Sequence, residues 1–185
     1  MKLKSLCLDS LPKSLPIKSI VCFFLFFLVG VIAPFPKIAK QPQVPTAFSV
    51  TEHYARFIPT IISFALPLAK RDVIGLVQIV HVSIATTIAT HALKWGLNDV
   101  VLFGRRLGER PSGSDKNMPS GHSSMVACAL GFLVRRYGAV WLWFLPLAFM
   151  TMGARIYLNA HTIGALMAGL SVGVLCALFL TSRFK

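Results

Sequence analysis

Acidic side chains are scarce in this chain. Six Asp and Glu stand against 19 Lys and Arg among 185 residues. They are scattered, so no carboxylate cluster is available to hold a hard cation. The four cysteines, Cys7, Cys22, Cys128 and Cys176, show neither zinc-ligand spacing nor a disulfide framework. They read as small buried apolar side chains. No metal and no cofactor is expected. Charge of either sign is also sparse, at 14% of residues. The uncharged runs that result approach the ~20 residues needed to cross a bilayer.

Apolar residues fill that space. They make up 55% of the chain, and mean hydropathy is +0.70. Both values point to a membrane protein. The formal net charge is +13. The basic residues sit at the edges of apolar runs, which favours lipid headgroups and phosphates as partners over nucleic acid.

The pattern predicts an all-α, polytopic membrane protein built as a six-helix transmembrane bundle. Residues 1–18 read as a basic cytoplasmic leader, interrupted by Pro12 and Pro16. Residues 19–185 read as one domain with helices at 17–33, 55–70, 73–93, 118–134, 138–154 and 162–182. Between the first two, 34–56 is proline-rich and is expected to be extended. Gly169 and Gly173 in the last helix let another helix approach closely. The polar segments 94–119 and 155–161 are separated by two spans, so they meet on one side of the membrane. A basic N-terminus inside makes that side the outer one.

The polar stretch Gly108–Ser124 is where chemistry is expected. Pro119-Ser120-Gly121-His122 opens a helix. A helix start offers free N–H groups and a positive dipole end to an anion, and Gly121 lets that anion come close. His122 can then exchange a proton beside it. The second patch runs from Arg155 to His161. Arg155 offers a planar fork to phosphate oxygens, and His161 can attack phosphorus. With Arg110 and Lys94, three cations and two histidines would converge on one pocket.

Arg110-Pro111, Pro119-Ser120-Gly121-His122 and Arg155-x5-His161, in this order on alternating spans, resemble the three-part signature of the PAP2 (type 2 phosphatidic acid phosphatase) superfamily. Within it, GERPSG and RIYLNAHTIGA are most similar to the bacterial lipid A 1-phosphatases. The resemblance implies a metal-independent phosphatase in the bacterial inner membrane, with its site facing the periplasm. Its substrate would be lipid A or a related lipid phosphate. Undecaprenyl pyrophosphate, phosphatidylglycerophosphate, phosphotransfer to a lipid, and non-catalytic binding are the alternatives. By position, His161 is the implied nucleophile and His122 the leaving-group acid. Arg110, Ser120, Gly121 and Arg155 are implied phosphate ligands, and Lys94 stands for the lysine of the first motif.

Three positions depart from the family pattern. Phe103 stands where the first-motif lysine is usual, with Lys116, Arg105 and Arg106 as substitutes beside Lys94. Ala154 replaces a serine. Ala165 replaces the aspartate that orients the nucleophilic imidazole. Either a backbone carbonyl, water, Glu109 or Asn159 replaces that aspartate, or turnover is slow.

Overall fold

The computed structural model describes residues 10–33, 35, 43 and 45–184. Cys7 and the first half of the basic leader lie outside the described residues, as does most of 34–44. Seven α-helices are found among the described residues. They are α1 (Ile17–Ile32), α2 (Thr46–His53), α3 (Ile58–Ala69), α4 (Val73–Gly96), α5 (Gly121–Tyr137), α6 (Leu145–Tyr157) and α7 (Ile163–Leu180). Tight helical turns at Ala55–Phe57 and Ala139–Phe144 lead into α3 and α6. A small antiparallel hairpin, β1 (Val101–Leu102) with β2 (Arg105–Arg106), follows α4.

Helix α2 corrects the sequence reading, which placed an extended connection over 34–56 and counted six helices. The prolines of that segment all precede Thr46. Helix α2 begins directly after the last of them, Pro45, and contains none. The proline content therefore described the approach to the helix rather than the helix itself.

Among the described residues, three stretches are long and apolar enough to cross a membrane: Val73–Gly96, Ala139–Tyr157 and Ile163–Leu180. Ile17–Ile32 and Ala55–Ala69 are shorter apolar helices. The N-termini of α4, α5 and α7 are capped by Asp72, Ser120 and Thr162, each accepting from the N–H three residues on.

Small residues bring the helices close. A Cβ at Gly169 would run into the carbonyl oxygen of Ser120, and one at Gly173 into that of Ser124. Helix α7 therefore lies against the backbone of the first turn of α5. Gly30 and Gly164 make a similar approach between α1 and α7. Phe132, Leu133 and Ile79 fill the core between α4 and α5. Helix α2 docks on α6 by its Phe48 ring, which sits over Gly153 and stacks on Tyr157 at 4.6 Å.

At the end of the bundle where α4 begins and α5 finishes, Arg136 meets Asp72 in a bidentate ion pair. Both side chains are only 4% exposed. Tyr137 donates its hydroxyl to Asp72 at 2.7 Å, and Arg136 also donates to Gln78 and to the Ser182 carbonyl. This buried network fastens α4, α5 and the segment after α7 together.

Candidate active site

The opposite end gathers the polar residues that the sequence singled out. Lys94 comes from the last turn of α4, and Gly121 and His122 from the first turn of α5. Arg155 is in the last turn of α6, and His161 lies just before α7. Arg110 reaches in from the loop between β2 and α5. All six line one cavity of about 260 Å³. Larger cavities of about 420 and 810 Å³ lie elsewhere, and no histidine lines either. His81 and His91 do not line the site cavity.

Ser120 is not brought to the cavity in the same way. Its side chain is fully buried and turned to the Ser123 N–H as the helix cap. Its own N–H donates to the Ala165 carbonyl at 2.8 Å. What this turn offers an anion is therefore the backbone of Gly121 and His122, whose N–H groups a helix start leaves unpaired.

His161 is 3% exposed. Its Nδ1 lies 2.8 Å from the Asn117 carbonyl oxygen. A carbonyl only accepts, so Nδ1 carries the proton and Nε2 keeps a free lone pair. Burial, then Lys94, Arg155 and Arg110, push the imidazole down to about 2. His161 is thus neutral wherever the protein works. A backbone carbonyl, one of the substitutes considered for the missing aspartate, is in contact with the ring.

Asn117 is itself tightly held. Its N–H donates to the Gly108 carbonyl at 2.9 Å. Its Oδ1 accepts from the Thr162 N–H, and its Nδ2 donates to Thr162 Oγ1, both at 3.0 Å. One amide side chain thereby ties the polar loop to the start of α7.

Lys94 Nζ and Arg110 Nη2 both donate to the Lys116 carbonyl, at 3.2 and 3.4 Å. Lys116 contributes through this oxygen, since its own ammonium sits over the Trp95 ring at 3.7 Å. Arg105 donates to the carbonyls of Ala33 and Phe35. Arg106 pairs with Asp115 and Asp99. Of the lysine substitutes, Lys94 is the one that lines the cavity.

Two residues escaped the sequence reading. Arg56 lines the cavity, and Glu52 bonds to Arg155 Nη1 at 2.6 Å. Their i, i+4 spacing is a helical ion-pair signal, but it fell in a segment read as extended. The Nε atoms of Arg56, Arg110 and Arg155 are all buried with no acceptor among the described residues. A buried unpaired donor costs about 1–3 kcal/mol. Three of them around one cavity ask for an anion with several oxygens.

The chain has known relatives. Residues 14–185 match the PAP2 superfamily. A lipid A 1-phosphatase from Helicobacter pylori is 55% identical over 96% of this chain and 94% of its own. A lipid A 4'-phosphatase from the same species is 33% identical over 70% of this chain and 67% of its own. The crystal structure of a transmembrane PAP2 type phosphatidylglycerolphosphate phosphatase from Bacillus subtilis superposes with a TM-score of 0.60 at 20% identity, over 87% of this chain and 93% of that one. On the family match and the identity together, the chain belongs to the PAP2 superfamily.

Proposed function

We propose that this protein is a lipid phosphatase that removes the 1-phosphate of lipid A through a phosphohistidine on His161. The observation that carries the chemistry is the pairing of a neutral imidazole, its Nε2 free, with three unsatisfied guanidinium donors around one cavity. The 55% identical relative carries the substrate.

In the proposed reaction, His161 Nε2 attacks phosphorus as the P–O bond to the sugar breaks. His122 gives its proton to the departing oxygen. His122, now neutral, takes a proton from water, and that water releases phosphate from His161. Lys94, Arg110, Arg155 and the N–H groups of Gly121 and His122 balance the charge of the phosphoryl oxygens. In this scheme the cations and N–H groups supply the charge balance.

The proposed setting is the bacterial inner membrane, with residues 19–185 as one multi-pass domain and the site open to the periplasm. Lys70, Arg71, Arg135 and Arg136 lie at the other end of the bundle, as the positive-inside rule asks of cytoplasmic turns. Loss of an outward phosphate lowers surface charge, and so weakens binding of cationic antimicrobial peptides.

The test is direct. Purified protein incubated with bisphosphorylated lipid A should release one phosphate, and mass spectra should assign the loss to position 1. Chelation of divalent metals should leave the rate unchanged, and vanadate should abolish it. The 33% identical relative supplies the second reading, a cut at position 4'. Loss from that position, or activity on undecaprenyl pyrophosphate or phosphatidylglycerophosphate alone, would replace the reading offered here.

A further inference from the structure

The corner between α2 and α3 belongs to none of the three motifs. It nevertheless supplies one lining residue and one carboxylate to the site. Arg56 lines the cavity beside Arg110 and Arg155. Its Nε is buried and without an acceptor, as are theirs. The observation that marks the two motif arginines as anion ligands therefore marks Arg56 equally.

Glu52 stands behind these groups. Its side chain is 12% exposed and does not line the cavity. A single oxygen, Oε1, lies 2.6 Å from Arg155 Nη1, 3.2 Å from Arg56 Nη1 and 3.6 Å from His122 Nε2. Docking of Phe48 on Gly153 and Tyr157 fixes the helix that carries it.

The electrostatics give Glu52 a task. The charged groups that face His122 are Arg155 from α6, Arg56 from the corner, Lys94 from α4 and Glu52 from α2. Burial first, then Arg155, Arg56 and Lys94, lower the proton affinity of the imidazole, and Glu52 opposes them. A leaving-group acid must hold that proton. Glu52 also accepts from two guanidinium groups at once, which turns both forks toward the same space.

We propose that the α2–α3 corner is a fourth part of the site, in which Arg56 is a ligand of the phosphoryl group and Glu52 positions Arg56, Arg155 and His122 around it. The inference rests on the phosphatase reading and adds residues to it.

Purified wild type, R56Q, R56K and E52Q are compared on lipid A, with vanadate inhibition and full pH–rate profiles. R56Q should raise KM and the vanadate inhibition constant roughly tenfold to a hundredfold, the range for a charge-assisted hydrogen bond. R56K should recover part of that loss. E52Q should lower kcat more than it raises KM. It should also move the alkaline limb to lower pH, because His122 works protonated and no longer has an anion beside it. A merely structural glutamate would leave that limb in place. Should E52Q fail to fold, Phe48→Ala loosens α2 while keeping every site residue, and must move the limb the same way. Vanadate binding followed by calorimetry reads Arg56 without turnover. Unchanged vanadate affinity in R56Q, or an unmoved limb in E52Q and Phe48→Ala, overturns the proposal. Wild type that binds vanadate normally but hydrolyses no lipid phosphate would instead count against the phosphatase reading.

Discussion

The two ends of the bundle hold the same kinds of side chain in opposite conditions. At one end, Arg136 has a carboxylate, an amide and a carbonyl, and every group of its network finds a partner. At the other, Arg56 and Arg155 share one carboxylate, and these two and Arg110 keep three buried N–H groups without acceptors among the described residues. The first arrangement is complete without a ligand. The second leaves donors for one to fill. A buried arginine is therefore not informative by itself, whereas its unfilled donors are.

The largest effect expected from this contrast is on chemistry. His161→Ala should lower phosphate release at least ~10³-fold and leave the thermal midpoint within a few degrees of wild type. Residual turnover near the wild-type rate would remove His161 as nucleophile and erase the contrast. Next comes the other end. Asp72→Ala leaves Arg136 buried without its counter-charge, which costs about 3–5 kcal/mol. Denaturation should show that loss, while the molecules still folded should keep wild-type KM. A variant that is stable but inactive would mean that the two ends are not separate.

A smaller effect is expected at Asn117. Its side-chain bonds to Thr162 hold the carbonyl that orients His161. Asn117→Ala keeps the carbonyl but frees the loop, so kcat should fall about tenfold to a hundredfold with little change in KM. The smallest effect is the absence of a limb in the pH profile. With the imidazole at about 2, protonation of His161 should not reduce kcat/KM near the ordinary histidine value of ~6.5. His161 loses its lone pair only as pH falls toward its own lowered value. A ring titration of His161 near ~6.5, followed by NMR, would show the ring to be far less shielded.

Much of the site was readable because its residues sit where helices start and stop. Pro119-Ser120-Gly121-His122 announces a helix start, and parity of spans places Arg155 and His161 beside it. The role of Ser120 was less readable, because a serine at a helix start can serve a ligand or its own helix. Here it caps the helix. The partner of His161 could not be ranked either, since a main-chain acceptor leaves no mark in the amino-acid alphabet. Glu52 and Arg56 were lost for a different reason. Four prolines upstream dominated the reading of 34–56, and the short helix after them makes its contacts far along the chain, with Arg155 and His122. The core glycines were legible as close approach, and Gly169 and Gly173 meet the backbone of α5 as such spacing implies.

The Asn117 carbonyl gives His161 an anchor unlike a carboxylate. It has no proton to gain, so acid does not switch it off. It belongs to the main chain, so no single substitution deletes it. Ala165 serves as packing, fully buried with its carbonyl accepting from the Ser120 N–H. Restoring an aspartate there by Ala165→Asp should gain no rate, because the ring nitrogen it would serve is already taken. The His161 imidazole thus rests on a main-chain acceptor, whose place is held by the Asn117 side chain.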